Sequence, residues 1–261
     1  MIVVKRSGER ERYDPSKTKA SLLRAGVSAA EADRIVERLR PELYDGITTE
    51  EIYRKVNMML DSERKAKFGL KKAIMNLGPD GYAFETFIAK LFEAMGYETK
   101  LRQVLQGQCI QHEVDVILLK DRASEIVECK FHNSQGIKCS VQTALYTYGR
   151  FLDLQSIDGH QAIWLVTNTR FSSDVVRYAE CMGMKLLGWR YPDGRGLEEL
   201  VEEHRLYPMT VMDIRRADMR ALLEHDFVLA KDLLDRKEEI RRTLPWVDIR
   251  SASKSAEALL H

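Results

Sequence analysis

The sequence predicts an α+β chain with several domains, and three observations support this fold class. An apolar stripe at helical spacing covers residues 84–95. Two apolar, β-branched runs of strand length follow at 114–119 and 126–131. A strand-like hairpin opens the chain, whereas only helical patterns follow residue 196. We therefore expect a small α/β unit at 1–78, a mixed helix and sheet core at 79–196, and a helical segment at 197–261.

The first segment is defined by its turns and helix caps. Residues 2–6 and 9–13 are strand-like on either side of Ser7-Gly8. The sequence from Gly78 to Gly81 is rich in turn residues and predicts a domain boundary. Between the hairpin and this boundary, the sequence indicates that four helices begin, at Asp14-Pro15, at Ser28, at Thr48 with Glu51 in a capping box, and at Ser62.

The middle segment places acidic residues beside its apolar patterns. Side chains alternate along a strand, so Glu128 and Lys130 are expected on one face and the core residues on the other. Asp115 lies in the preceding strand, and Glu85 lies beside the apolar stripe of the helix. We therefore expect three carboxylates and one lysine to converge near one edge of the sheet.

This set of side chains suits hydrolysis of a phosphodiester. Carboxylate oxygens favour Mg²⁺ or Mn²⁺, so Asp115 and Glu128 are predicted metal ligands and Glu85 an outer or second-metal ligand. Lys130 would orient the attacking water or offset charge in the transition state. The Glu-x-Lys spacing alone is weak, since it also occurs at Glu63 and Glu98. Neither of these has both an apolar strand around it and an acidic strand before it.

Four stretches of the middle segment carry a family resemblance: Gly81-Tyr82-Ala83-Phe84-Glu85, Met95-Gly96-Tyr97, His112-Glu113-Val114-Asp115-Val116 and Val127-Glu128-Cys129-Lys130. Together they resemble the Mrr-type branch of the PD-(D/E)-x-K restriction endonuclease superfamily. The resemblance implies an α/β/α mixed-sheet core. It also implies that Gln142, with Tyr146 four residues later on one helix, lines the active site. A solvated contact between these two side chains is the alternative.

The first segment resembles the ATP-cone domain, a nucleotide-sensing module. The resemblance rests on residues 3–8, on Glu11, on Tyr13-Asp14 with Lys17, and on residues 47–52. It implies ATP or dATP as a regulatory ligand. By this resemblance, the phosphates of the nucleotide would contact Lys5, Arg6 and Lys17, while Val4 and Glu11 would contact its base or sugar. Thr49 and Lys71 are further candidates. An ordinary basic helical surface is the alternative.

Composition excludes several other classes. The net charge of +1 hides an N-terminal excess, because residues 1–78 hold 17 basic and 12 acidic side chains. No G-x-x-x-x-G-K-[ST] phosphate loop occurs, so ATP hydrolysis is not indicated. The four cysteines are scattered, which argues against a disulfide framework or a structural zinc site. No run has the length of a membrane span and no signal peptide is evident, so we expect a cytoplasmic protein.

The C-terminal segment is predicted to form helices at 197–206, 212–225 and 228–240, with a frayed end at 251–261. It faintly resembles small helix-hairpin-helix DNA-binding units, although its acidic balance favours packing or formation of a homodimer. For the whole chain, the favoured function is a DNA endonuclease regulated by nucleotide. The alternatives are a nucleotide-responsive DNA-binding module without cleavage, and a nuclease acting on RNA or branched DNA.

Overall fold

A computed structural model describes residues 1–5, 8–134 and 136–260, with Asp158 described by its backbone alone. The chain divides into two compact units: Met1–Leu70 with the residues from Glu257 onward, and Lys71–Ala256. Residues 197–256 thus belong to the same unit as the central sheet. The domain limits at 78 and 196 stay predictions. No helix in the described residues is long and apolar enough to cross a bilayer.

The first unit combines a small sheet with helices. Strand β1 pairs antiparallel with β2 and parallel with β3. Its core contains Val3, Leu22, Leu39, Ile47 and Val56, each almost fully buried. The elements are β1 (Ile2–Val4), β2 (Arg10–Arg12), α1 (Pro15–Arg24), α2 (Ala29–Leu39), β3 (Ile47–Thr48), α3 (Thr49–Asn57) and α4 (Ser62–Met75), with a 3-10 turn at Arg40–Glu42. The last residues of α4, from Lys71 onward, belong to the second unit.

The predicted caps of this unit are confirmed. The Asp14 carboxylate accepts a hydrogen bond from the Ser16 amide, and the Ser28 hydroxyl accepts one from the Glu31 amide. Thr48 and Glu51 form both hydrogen bonds of a capping box. These local interactions fix where α1, α2 and α3 begin.

The second unit is built on a five-stranded mixed sheet in the order β10-β8-β6-β5-β4. β4, β5 and β6 are antiparallel neighbours, whereas β6, β8 and β10 run parallel. Its elements up to the last strand are α5 (Tyr82–Ala94), β4 (Glu98–Gln106), β5 (Gln111–Lys120), β6 (Ala123–Lys130), β7 (Lys138–Cys139), α6 (Val141–Asp158), β8 (Ala162–Thr167), β9 (Arg170–Phe171), α7 (Ser173–Met182) and β10 (Lys185–Leu187).

Helices cover both faces of this sheet. On one face, Phe92 of α5 packs edge-on against Trp164 of β8, with ring centroids 5.2 Å apart. On the other, Phe151 of α6 and Val175 of α7 join Ile126 and Leu165 in one cluster. This arrangement confirms the predicted α+β class with an α/β/α core.

Two strand predictions need correction. Ile126 and Val127, neighbours on β6, are both almost fully buried. Because neighbouring side chains of a strand lie on opposite faces, both faces of β6 are covered, and the strand does not have one charged face and one core face. Helices on both sides of the sheet cover alternate residues, and the charged side chains lie towards the two ends of the strand, with Glu125 before the buried pair and Glu128 and Lys130 after it. The prediction also missed β4, which contains Glu98 and Lys100. That strand lies at the sheet edge and is mostly exposed, so it lacks an apolar signal.

The C-terminal helices have a hydrophobic cluster of their own, which includes Leu222, Phe227, Ile240 and Ala256. The predicted frayed end is wrong, because residues up to Leu260 form a helix whose Ala252 and Ala256 are buried. The predicted helix at 228–240 is broken at Arg236. These elements are α8 (Leu197–Glu203), α9 (Arg216–Glu224), α10 (Asp232–Asp235), α11 (Lys237–Thr243) and α12 (Arg250–Leu260), with a 3-10 turn at Met209–Val211.

Candidate nuclease centre and nucleotide site

Helix α5 carries Glu85 into the centre of the second unit. Phe84 and Phe87 are fully buried and hold the helix against the sheet. Gly81 precedes the helix at φ 86°, a left-handed conformation that disfavours a side chain. Glu85 lies in the first turn, and its side chain is 13% exposed. Packing of the helix therefore fixes the position of this carboxylate.

Asp115 lies where two strands separate. The paired residues of β5 and β6 end at Val116 and Val127. Beyond that point, the Cys129 amide donates to Asp115 Oδ2 at 2.7 Å instead of to a backbone carbonyl. The half-buried Asp115 side chain thus replaces a backbone acceptor of the sheet. This fork places Asp115 and Glu128 on adjacent strands.

Glu128 is held by an arginine that the sequence analysis did not identify. Arg150, in the middle of α6, forms an ion pair with Glu128 Oε2 through Nη1. The same nitrogen donates to the Glu113 carbonyl at 2.9 Å, and Nη2 donates to the Tyr146 hydroxyl at 3.0 Å. Both charged side chains of the pair are largely buried, 12% exposed for Arg150 and 16% for Glu128. The available signal was its spacing, since Arg150 follows Gln142 and Tyr146 at intervals of four on one helix.

The three carboxylates repel one another in a poorly solvated place. The pKa of Glu85 is raised to about 7, chiefly by burial and next by the charge of Asp115. Burial and Asp115 likewise raise the pKa of Glu128 to about 7, against the opposing charge of Arg150. Burial also raises the pKa of Asp115. The shared interactions show that the three acids lie within electrostatic reach of one another, and that Arg102, Arg150 and Lys130 only partly offset the effect of burial on their pKa values.

A divalent metal, which such nuclease domains use, fits this donor set in part. Glu85 Oε2 is buried without a hydrogen-bond partner, and the nearest arginine nitrogen, Nη1 of Arg102, is 3.5 Å away. Carboxylate oxygens are the donors that Mg²⁺ and Mn²⁺ prefer. Within the described residues, however, no three His, Cys, Asp or Glu side chains are grouped closely enough to hold an ion. Glu128 points to Arg150, so metal binding requires this side chain to turn.

The remaining predicted nuclease residues lie at the mouth of the centre or beside it. Lys130 is exposed at the end of β6, and its ammonium makes no hydrogen bond or ion pair with the described residues. It is close enough to Asp115 and Glu128 to favour their charged forms. Gln142 is exposed in the first turn of α6. A role for Gln142 in the site stays a prediction.

The predicted nucleotide residues of the first unit surround a small cavity. Glu11, Lys17 and Thr49 line a volume of about 190 Å³. Glu11 is held by two lysines, with Lys5 Nζ at 2.9 Å and Lys17 Nζ at 3.2 Å. The cavity is smaller than the roughly 300 Å³ at which typical ligand pockets begin. A whole nucleotide would therefore extend beyond it.

The other described residues predicted to contact the nucleotide are not among those that line this cavity. Val4 is half-buried on β1 and does not line the cavity. Arg6 lies outside the described residues. Lys71 belongs to the second compact unit, where its ammonium lies 5.4 Å from the centre of the Trp189 ring. The structure thus brings together Lys5, Glu11, Lys17 and Thr49 of the predicted set.

Comparisons with known proteins agree with this architecture. Residues 1–71 match the family model of the ATP cone domain, and residues 78–201 match the Mrr catalytic model described as a restriction endonuclease. An uncharacterized protein of Archaeoglobus fulgidus is 37% identical over 172 residues, which are 66% of this chain and 95% of that protein. The crystal structure of AF1548, a protein of unknown function, is similar with a TM-score of 0.60 and 34% identity. The structural match covers 69% of this chain and 96% of the AF1548 chain.

Proposed function

From the chain's membership of the Mrr-type restriction endonuclease family, with an ATP-cone domain at its N-terminus, we propose that it is a metal-dependent endonuclease cleaving phosphodiester bonds in DNA. The observation that carries this proposal is the fork between β5 and β6. It gathers three partly buried carboxylates of raised pKa beside Lys130, whose ammonium has no polar partner among the described residues. A surface cluster without function would not keep three acids in a place that penalises their charge.

Each side chain has a role that its position supports. Asp115 and Glu128 would hold Mg²⁺ or Mn²⁺, with Glu85 as an outer ligand. The bound ion would lower the pKa of a water and offset phosphate charge. Lys130, exposed and without an ion-pair partner in the part of the chain that the structure describes, orients the attacking water and faces the charge that develops on the phosphate. Asp115 also keeps the fork open, because its carboxylate occupies the Cys129 amide.

Arg150 is a positioning residue in this scheme. It keeps Glu128 oriented and compensates its buried charge before the substrate arrives. If Glu128 held a metal in place of this ion pair, the guanidinium would be free to pair with a phosphate of the substrate. Arginine pairs well with phosphate because its donors match two oxygens at once.

The first test is cleavage of plasmid and linear DNA with Mg²⁺ or Mn²⁺. We expect Asp115→Ala and Lys130→Ala each to lower the rate by about 10²-fold or more, the effect of removing one group that stabilises the transition state. Matched controls are Glu98→Ala and Lys100→Ala, which alter a second Glu-x-Lys pair on the exposed strand β4. These controls should cleave as the parent does.

The same assay separates the alternatives. Cleavage confined to RNA or to branched DNA would support the proposed catalytic residues and would contradict the proposed DNA substrate. DNA that is bound but never cut, under any metal, would contradict the nuclease and favour a binding module.

We propose further that ATP or dATP at the cone regulates the nuclease. Lysines beside a small cavity suit a polyphosphate, and the chain has no phosphate loop for hydrolysis. Cleavage should therefore change with ATP, dATP and a non-hydrolysable analogue alike. A response to the hydrolysable nucleotides alone would contradict a purely regulatory ligand.

A further inference from the structure

A second cavity lies beside the nuclease centre, within the second unit. Its volume is about 660 Å³, within the roughly 300–1,000 Å³ typical of pockets for small molecules and cofactors. The chain segment 76–83, which leads into α5, forms one wall, and helix α9 of the C-terminal segment forms another. The family model that ends at residue 201 does not include α9.

The cavity has apolar walls with charged side chains of both signs among them. Tyr82 lines it with a side chain that is 57% exposed, although the ring is large and apolar. Met219 and Leu223 line it from α9, as do Arg216 and Arg220. An exposed aromatic ring with arginines close by suits a ligand that is flat and apolar at one end and anionic at the other.

Arg102 joins the cavity to the nuclease centre. Its guanidinium lines the cavity, lies 5.7 Å from the Tyr82 ring centre, and approaches Glu85 at 3.5 Å. Asp226 holds the same guanidinium at 3.1 Å and also accepts a hydrogen bond of 2.7 Å from Thr86. A ligand in the cavity is therefore a neighbour of whatever the three carboxylates bind.

The backbone at both ends of this link is in an unfavourable conformation. Arg102 has φ 50° and Asp226 has φ 58°, a left-handed region that residues other than glycine seldom occupy. Such conformations persist where surrounding interactions enforce them, and they are concentrated at functional sites. The C-terminal segment is thus fixed to the centre by an ion pair that joins two left-handed residues.

Three arginines and three acids line the cavity, and within the described residues Arg216 is the arginine that pairs with none of these acids. Asp80 lies within electrostatic reach of Arg220. Asp226 is paired with Arg102, and Glu224 with Arg220 at 2.8 Å. Arg216 is exposed and forms no hydrogen bond or ion pair with any described residue. It is therefore the side chain available for a phosphate.

We propose that this cavity takes one unstacked nucleotide of the substrate strand, with its base against Tyr82 and a phosphate at Arg216, beside the phosphodiester that is cut. This assignment rests on the proposed nuclease function and adds the part of the substrate that the C-terminal segment recognises. Free nucleotides share the chemistry but lack the neighbouring phosphodiester. A continuous strand should therefore bind more tightly than a mononucleotide.

The test measures binding with EDTA present, so that cleavage does not interfere. Fluorescein-labelled single-stranded oligonucleotides are titrated with the parent and with Tyr82→Ala and Arg216→Ala. Loss of one base stack should weaken binding by about tenfold. The controls Trp246→Ala and Arg177→Ala remove an exposed aromatic side chain and an exposed arginine outside the cavity, and should bind as the parent does.

A second measurement uses the unaltered protein. Oligonucleotides with 5-iodouracil are irradiated, and the crosslinked peptide is expected to contain Tyr82 or Met219. Crosslinks elsewhere, with unchanged affinity in both cavity variants, would overturn the proposal even if the protein cuts DNA. Conversely, crosslinking at Tyr82 in a protein that cuts no DNA would support the nucleotide site in the cavity and contradict the nuclease function.

Discussion

The two sites of this chain treat their carboxylates in opposite ways. In the nuclease centre, burial and neighbouring acids raise the pKa of Glu85 and Glu128 to about 7. In the cone, hydrogen bonds from Lys5 and then Lys17 hold the pKa of Glu11 below its ordinary value. The first site has an excess of acid and a buried acceptor without a partner, whereas the second has an acid held by two lysines.

This difference indicates what each site is ready to bind. A centre whose carboxylates repel one another, and whose Glu85 Oε2 has no hydrogen-bond partner, gains most from a cation, since the ion removes the repulsion. A site whose lysines are already paired gains less, because an incoming phosphate must replace Glu11 as their partner. We therefore expect metal binding to have larger energetic effects than nucleotide binding.

Among the variants that test this difference between the two sites, Arg150→Ala should have the largest effect. Loss of the guanidinium leaves Glu128 without its ion-pair partner and removes a cation near the phosphate, so cleavage should fall by about 10²-fold. Arg150→Lys should restore part of the rate. Thermal unfolding should show a lowered Tm in EDTA that Mn²⁺ largely restores, because the ion then compensates Glu128.

The control for this variant is Arg177→Ala, since Arg177 is an exposed arginine paired within its own helix. If Arg150→Ala lost stability equally with and without Mn²⁺, Arg150 would serve packing alone and would not position a metal ligand.

The next effect is stabilisation by the cation itself. At 100 times its dissociation constant, Mn²⁺ should stabilise the parent by about 2.7 kcal/mol, measured as a shift in thermal unfolding. Asp115→Asn and Glu128→Gln should abolish most of that gain. Glu98→Gln, on the exposed edge strand, should keep it. An equal shift in Asp115→Asn would show that the ion binds elsewhere.

Nucleotide binding should show a smaller effect. Lys17→Ala removes one of the two lysines paired with Glu11, and the affinity for ATP should fall by about tenfold, typical of a charged hydrogen bond of 1.5 kcal/mol. The matched control is Lys19→Ala, because Lys19 lies on the same helix and pairs with Asp33 at 2.5 Å. Isothermal titration measures both, and equal losses would argue against a specific phosphate contact.

Local signals account for most of what the sequence predicted. Helix caps such as Asp14 and the capping box at Thr48 involve residues two or three apart, so they can be seen in the sequence. The hairpin of β5 and β6 follows from two apolar runs around a short turn. Asp115 and Glu128 could be chosen because this hairpin makes them neighbours.

What the sequence missed depends on distant contacts. β4 is a polar edge strand, recognisable only through its pairing with β5. Arg150 meets Glu128 only once α6 packs on the sheet, and Arg102 meets Asp226 across 124 residues of chain. The sequence predicts a frayed end at 251–261, whereas Ala256 is buried in the C-terminal cluster, and this burial depends on tertiary packing.

The smallest effect concerns the cap that fixes α3 next to the cone's cavity. The Thr48 amide and hydroxyl, with the Tyr44 hydroxyl, lower the pKa of Glu51 to about 2. Because the folded pKa is depressed, Glu51 stabilises the fold above its ordinary pKa near 4.5, and this stabilisation is lost as pH falls towards 2. Glu51→Gln should therefore lower the Tm at pH 7 and have little effect near pH 2.

Thermal unfolding followed by circular dichroism measures this difference, with the exposed Glu50→Gln as control. A gap between parent and variant that stayed constant with pH would mean that Glu51 acts through packing instead of its charge. In that event the contrast between the acids of the cone, whose pKa values are lowered, and the acids of the nuclease centre, whose pKa values are raised, would rest on Glu11 alone.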